Sequence, residues 1–244
     1  MIGAERRYAR HASAADRGFW SVERSIRWDD VDPARLVGHR ALLESLRDAA
    51  IIEAFHPVHL QQLLAATWDD VDAGVVFSLE LYEGFKHFHA LRTYLDAVGF
   101  EPAITDEDIV RMRGAARDAD VEPYDLVERL VEFMLSEHLA SYFFRRLSDE
   151  SPEPVLTELL ALIAADEVRH AQSASDLIAK RVAIDPTIVP RVLHAAAHFR
   201  HFGERAVGDV PVAMPGDAVA LRSFAKRIER LCGVRLVDYM KEAL

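Results

Sequence analysis

Two segments pair an acid with a histidine at helical spacing. The sharper is Ala165-Asp166-Glu167-Val168-Arg169-His170. Glu167 and His170 are three residues apart, so they project from one face of a helix. Leu159, Leu160, Ile163 and Ala174 flank that face and turn it toward a core. An acid and an imidazole buried there without partners would be costly. Metal coordination supplies partners; the competing account is a buried acid–histidine hydrogen bond. The second segment is Glu83-Gly84-Phe85-Lys86-His87, in which Glu83 and His87 are four apart, and Glu80, seven before His87, lies close to the same line. Two further acids interrupt apolar runs. Glu137 sits between Phe133-Met134-Leu135-Ser136 and Leu139-Ala140, and Glu53 between Ala49-Ala50-Ile51-Ile52 and Ala54-Phe55. An acid in such a run is rarely without a partner.

Four helices, each with an inward acid and two with a histidine as well, fit a two-metal carboxylate site in a helix bundle. That pattern takes one Glu from each of two helices and Glu-x-x-His from each of the other two. Oxygen and imidazole donors in this ratio suit iron or manganese better than zinc or copper. The expected cofactor is two iron ions, with manganese or a mixed pair as alternatives. The expected ligands are Glu53, Glu83, His87, Glu137, Glu167 and His170, with Glu80 as the alternative to Glu83. The remaining histidines read mostly as satisfied polar groups. His56, His59, His89 and His138 adjoin expected ligands, with a supporting or extra-ligand place as the alternative for each, and His194, His198 and His201 share a face without nearby acids that reads as partly exposed rather than as a second metal site.

The run Ile163 to His170, continuing to Ala183-Ile184-Asp185-Pro186, resembles the fourth-helix motif of the soluble acyl-carrier-protein desaturases. Lys86-His87 through Tyr94-Leu95 to Gly99 is similar to their other Glu-x-x-His helix. The resemblance covers roughly residues 50 to 190 and is sharp around 163 to 186. It implies a ferritin-like diiron fold with Glu167, His170 and Glu137 as ligands. It also implies that Asp166 holds a ligand imidazole in the right tautomer. Aligning His87 with the family's histidine places Gly84 where that family has its glutamate. Glu83 or Glu80 then substitutes, or that metal position is weakened. Glu83 is the favoured substitute, about 40° from His87 around the axis at ~100° per residue, an offset that a π-bulge would absorb.

The resemblance implies an O2-dependent diiron oxidase or oxygenase of desaturase or hydroxylase type. Its substrate would be apolar, free or carrier-bound as an acyl chain, and an external electron donor such as a ferredoxin would serve it. The alternatives are a diiron oxygenase of an amine or other tailoring substrate, and a non-catalytic iron-binding or metal-free bundle. Phe77, Phe85, Phe88, Phe133, Tyr142, Phe143 and Phe144 either line a pocket near the ligands or form bundle core.

The elements that must position these residues are helices. Of 244 residues half are apolar, with 11 glycines and 10 prolines, and no segment alternates as a strand would. The expected class is all-α, a ferritin-like four-helix bundle with additional N- and C-terminal helices, built as one domain. Residues 1–30 read as an irregular arm anchored by Trp20 and Trp28, residues 33–182 as the bundle, and 185–244 as added helices. Asp32-Pro33 starts a helix to Ala49 that continues, bent at Pro57, to Thr67. Further helices run from Asp69-Asp70 to Val98 with a stop at Gly99, from Thr105 to Asp118, Pro123 to Leu147 and Pro154 to Val182. Another runs from Asp185-Pro186 to near Gly203. The last spans Asp217 to Lys241 with an interruption at Gly233, after a loop at 208–216.

A net charge of -11 repels phosphate backbones, so nucleic acid is not an expected partner. The lone Cys232 supports neither a disulfide framework nor a cysteine metal site. No run approaches the ~20 apolar residues of a membrane span, and the charged first 20 residues lack a signal-peptide core. A cytoplasmic homodimer is expected.

Overall fold

The computed structural model describes residues 7–119, 125–207 and 218–242, and the regular structure among them is helical throughout. In chain order the helices are α1 (Arg7–Arg17), α2 (Val22–Ser25), α3 (Arg40–Glu53), α4 (His56–Ala66), α5 (Val71–Ala97) and α6 (Asp106–Ala119). There follow α7 (Leu126–Glu150), α8 (Pro154–Ile184), α9 (Val189–Ala197), α10 (Glu204–Val207), α11 (Ala218–Cys232) and α12 (Leu236–Glu242). The bundle has four legs: α3 with its continuation α4, then α5, α7 and α8. Helices α7 and α8 pack along most of their length, α3 and α4 lie on α5, α5 on α8, and α4 on α7.

Local chemistry sets the ends of the legs. Asp70 caps α5 by accepting from the N–H groups of Asp72 (3.1 Å) and Ala73 (3.3 Å). Gly99, at φ +66°, ends α5 in a left-handed turn, where Phe100 N–H donates to Leu95 O and Gly99 N–H to Asp96 O. Asp125 caps α7, and the Glu153 carboxylate caps α8 through Leu156 N–H at 2.8 Å. Helices α5 and α8 run antiparallel, which the pairs Asp72–Lys180, Glu83–His170 and His87–Asp166 show in register.

Two apolar clusters fill the bundle. One contains Leu46, Phe55, Leu91, Tyr94, Phe144, Leu156 and Leu159; the other contains Leu60, Phe77, Leu130, Met134, Leu177 and Ile178. Each fully buried large side chain contributes about 1.5–3 kcal/mol of transfer free energy. Along α5 the first cluster begins at Ala90 and the second ends at Phe77; along α8 they meet between Ala164 and Ala174. The segments 80–87 and 166–170 occupy the gap, so a polar layer divides the core.

Several boundaries differ from expectation. The arm is helical from Arg7, because α1 lies across α5 and α8. Tyr8 N–H donates to Asp72, Arg10 pairs with Asp176, and the only buried side chains of α1 are His11 and Ala15, too narrow an apolar stripe to read in advance. Trp20 is buried as expected, and Trp28 half-buried with its indole N–H on Val22 O. Asp32-Pro33 opens only a 3-10 turn, Pro33–Leu36, and Gly38 at φ +87° separates it from α3. The helix after Asp185 is a 3-10 turn followed by α9 and stops at Ala197. The break at Pro57 and the interruption at Gly233 occur where expected. The helix start at Pro123 and the loop at 208–216 lie outside the described residues. No described helix is long and apolar enough to cross a membrane.

Candidate metal centre

Each leg brings acids into the polar layer. Glu53 ends α3, Glu80 and Glu83 stand on α5, Glu137 on α7, and Asp166 and Glu167 on α8; all are buried. His87 and His170 are buried with them. Two groups of donor atoms form, each within 4.8 Å mutual distance. One holds Glu80, Glu137, Glu167 and His170; the other holds Glu53, His87 and Glu167. Glu167 belongs to both.

The two histidines are oriented alike. His87 Nε2–H donates to Asp166 Oδ2 at 3.0 Å, and His170 Nε2–H donates to Glu83 Oε2 at 2.7 Å. Each imidazole therefore turns Nδ1 inward. His87 Nδ1 lies 3.0 Å from Glu167 and 3.5 Å from Glu53. His170 Nδ1 lies 3.0 Å from Glu167, 3.2 Å from Glu80 and 3.8 Å from Glu137. Two donors on one ion at ~2.1 Å stand about 3.0–3.4 Å apart for angles of about 90–109°, so most of these spacings suit shared coordination. Carboxylates that fix the outer nitrogen of a ligating histidine are the usual companions of a metal site.

Asp166 and Glu83 are themselves neutralised. Asp166 accepts from Lys86 (2.8 Å), Arg169 (2.9 Å) and the Trp20 indole (2.8 Å), and Glu83 accepts from Arg169 (2.6 Å). The Lys86 ammonium also lies over the Trp20 ring. This outer shell of two acids and two cations balances by itself. The inner four carboxylates, Glu53, Glu80, Glu137 and Glu167, have no lysine or arginine partner among the described residues.

The electrostatics of the inner cluster demand positive charge. Burial pushes the Glu137 and Glu53 carboxyls up, and the charge of Glu167 pushes them further. Burial alone would lower both histidines. Glu167 nevertheless holds His87, and Glu80 with Glu167 holds His170, well above the ordinary imidazole value. Glu53 Oε2, Glu80 Oε1, Glu137 Oε1, Glu167 Oε1 and His87 Nδ1 are buried without a hydrogen-bond partner. Unpartnered buried polar atoms are rare and call for an explanation. Two divalent cations would complete all five and neutralise the four carboxylates, so the donor set fits the group.

Of the expected site residues, the structure brings together Glu53, His87, Glu137, Glu167 and His170. Asp166 takes the orienting place beside His87. Glu83 lies outside both donor groups, on the outer side of His170, while Glu80 takes the inward place. The π-bulge is absent: Val71–Ala97 is continuous α-helix. His201, grouped with a partly exposed face, is buried, and Gly203 N–H donates to its Nδ1.

No family model matches the chain. Curated relatives include the "putative acyl-(acyl-carrier-protein) desaturase DesA2" of two Mycobacterium tuberculosis strains, each 35% identical over 95 residues. The match covers 38% of this chain and 34% of the relative, so it spans about a third of the length of these curated relatives. The chain is thus similar over part of its length to a protein named as a desaturase, and it carries a buried carboxylate–histidine cluster suited to a metal.

Proposed function

We propose that this chain is an O2-dependent diiron oxidase with a ferritin-like bundle, acting on an apolar substrate of which a carrier-bound acyl chain is the first candidate. The observation that carries the reading is the convergence of four buried, cation-free carboxylates and two inward imidazole nitrogens on two adjoining positions. Glu53, His87 and Glu167 would hold one iron, and Glu80, Glu137, Glu167 and His170 the other. Two ferrous ions bound there would supply electrons for reducing O2. Oxygen and nitrogen donors without cysteine favour iron or manganese over softer metals.

The chain's own residues bind, orient and exclude water. Asp166 and Glu83 fix the imidazoles, and the apolar clusters on either side of the layer keep it dry. Beside Glu53 lies a small cleft of about 70 Å³, lined by Ala49, Ile52, Leu139, Ala140, Phe143 and Phe144, with Asp48 and His201 at its polar edge. Its mostly apolar wall suits a hydrocarbon. The sequence holds no nicotinamide or flavin motif, so electrons would come from a separate donor such as a ferredoxin. The partial similarity to a protein named as a desaturase supports the acyl substrate.

The iron-loaded chain, supplied with a ferredoxin reducing system, O2 and acyl-carrier-protein thioesters, tests this reading. Mass spectrometry of the acyl group is expected to show loss of two hydrogens or gain of one oxygen. Iron-loaded protein that consumes no O2 above background with any acyl thioester would contradict it.

A further inference from the structure

The polar layer contains a third imidazole whose position depends on a glycine. A Cβ built on Gly84 would lie 2.5–2.8 Å from the His56 ring, closer than real Cβ contacts allow. Any other residue at position 84 would displace that ring. Gly84 stands three residues before His87, the place a Glu-x-x-His helix gives to its glutamate. The structure therefore fills the place of that side chain with an imidazole from the neighbouring leg.

The tautomer of His56 follows from its neighbour. In an unbroken helix the N–H of residue 57 would bond to Glu53 O, but Pro57 has none. His56 Nδ1 lies 2.8 Å from Glu53 O. A carbonyl only accepts, so Nδ1 carries the proton and donates. In the neutral ring, the form that binds a cation, Nε2 is then left with its lone pair. His56 is 2% exposed, and Nε2 has no hydrogen-bond partner. It faces Glu80 Oε1 at 3.3 Å, an atom that also lacks one. His56 lies outside both donor groups, and its link to the centre is through Glu80 alone: the two unpartnered atoms are spaced as two ligands of one ion. The orientation is the one seen at His87 and His170: one nitrogen donates to an oxygen, and the other turns toward the inner carboxylates.

We propose that His56 is a third histidine ligand of the metal centre, its Nε2 joining Glu80 in place of the carboxylate that Gly84 lacks. The centre then holds four carboxylates and three imidazoles, with Glu167 the one carboxylate common to both positions. The inference rests on the metal-centre reading, and its test separates the two.

The full chain is loaded anaerobically with cobalt(II), and its proton NMR spectrum compared in H2O and D2O. Each ligating imidazole whose outer nitrogen keeps its proton gives one far-shifted, solvent-exchangeable resonance. Three are expected, from His56, His87 and His170, and His56→Ala should remove one. That variant should also bind its weaker cobalt at least about ten-fold less tightly, since even supporting residues of metal sites are worth that much. The double variant Gly84→Glu/His56→Ala should return two ions per chain. Wild type with two cobalt ions but only two such resonances, or His56→Ala with all three, would overturn the proposal and leave the metal centre intact. The wild-type count is decisive even where His56→Ala fails to fold. Wild type that binds no cobalt would overturn both.

Discussion

Glu80 and Glu83 share one helix and differ in role because of what α8 places opposite them. Arg169 and His170 Nε2 draw Glu83 outward, while Glu80 faces Glu137, Glu167 and His170. The spacing contained the signal: seven residues at ~100° each leave Glu80 about 20° from His87, against about 40° for Glu83. What the spacing could not show was the claim of Arg169 on Glu83, which depends on the register of α8. The two acids therefore separate experimentally. Glu80→Ala should cost the chain one of two irons. Glu83→Gln should keep two and weaken binding by about 10–100-fold, as for supporting carboxylates elsewhere. Metal titration followed by elemental analysis reads both; equal loss from the two variants would contradict the assignment. The motif Asp166 to His170 was legible because periodicity alone puts Glu167 and His170 on one face. His56 was legible only as one of several histidines beside expected ligands, because its place depends on the absence of a side chain at Gly84, one leg away.

At the scale of elements, the caps of α5 and the breaks at Pro57 and Gly233 were readable, and the joint before α3 was not. Asp70, Gly99 and Gly233 end or begin helices as their chemistry requires. Pro33 does not start α3, because Gly38 resets the backbone first. The polar helix α1 buries only His11 and Ala15, and ion pairs and hydrogen bonds tie it down. Asp70 does two jobs: it caps α5, and it accepts from Lys180 (2.8 Å) and pairs with Arg181 (3.4 Å) on α8. Asp70→Ala should lose about 1 kcal/mol from the cap alone, read as a lower urea midpoint. The pH dependence has a definite sign. Burial raises the Asp70 carboxyl, but the bond from Lys180 and the cap N–H of Ala73 hold it below its ordinary value. Its stabilisation is thus complete above the unfolded value of ~3.9 and is lost as pH falls through the folded one. Thermal midpoints of wild type and Asp70→Asn should keep a constant gap from neutral pH down to about pH 4 and converge as pH falls further; a gap that stays unchanged below that would show that the charge of Asp70 contributes nothing.

Across the whole molecule, the polar layer divides what would otherwise be one apolar core. Four buried carboxylates with no lysine or arginine partner among the described residues cost stability, because a desolvated charge is repaid only by close opposite charge. Metal should return that cost. An ion that binds only the folded chain, at 100 times its dissociation constant, stabilises by about 2.7 kcal/mol per site. Chelation should therefore lower the melting temperature by several degrees, whereas a metal-free bundle would melt alike with and without chelator. The all-α bundle was legible because its legs are long and strongly patterned; the reaction was not, because the pocket beside Glu53 forms only when α3, α7 and the chain after α9 meet. Iron content after anaerobic Fe(II) loading and removal of excess metal, followed by the optical spectrum on adding O2, bears most directly on the two-metal centre. Two irons per wild-type chain, an oxygen-dependent absorption change, and no tight iron in Glu167→Ala are expected. Wild type that retains no iron under varied loading conditions, or Glu167→Ala that retains both ions, would contradict it.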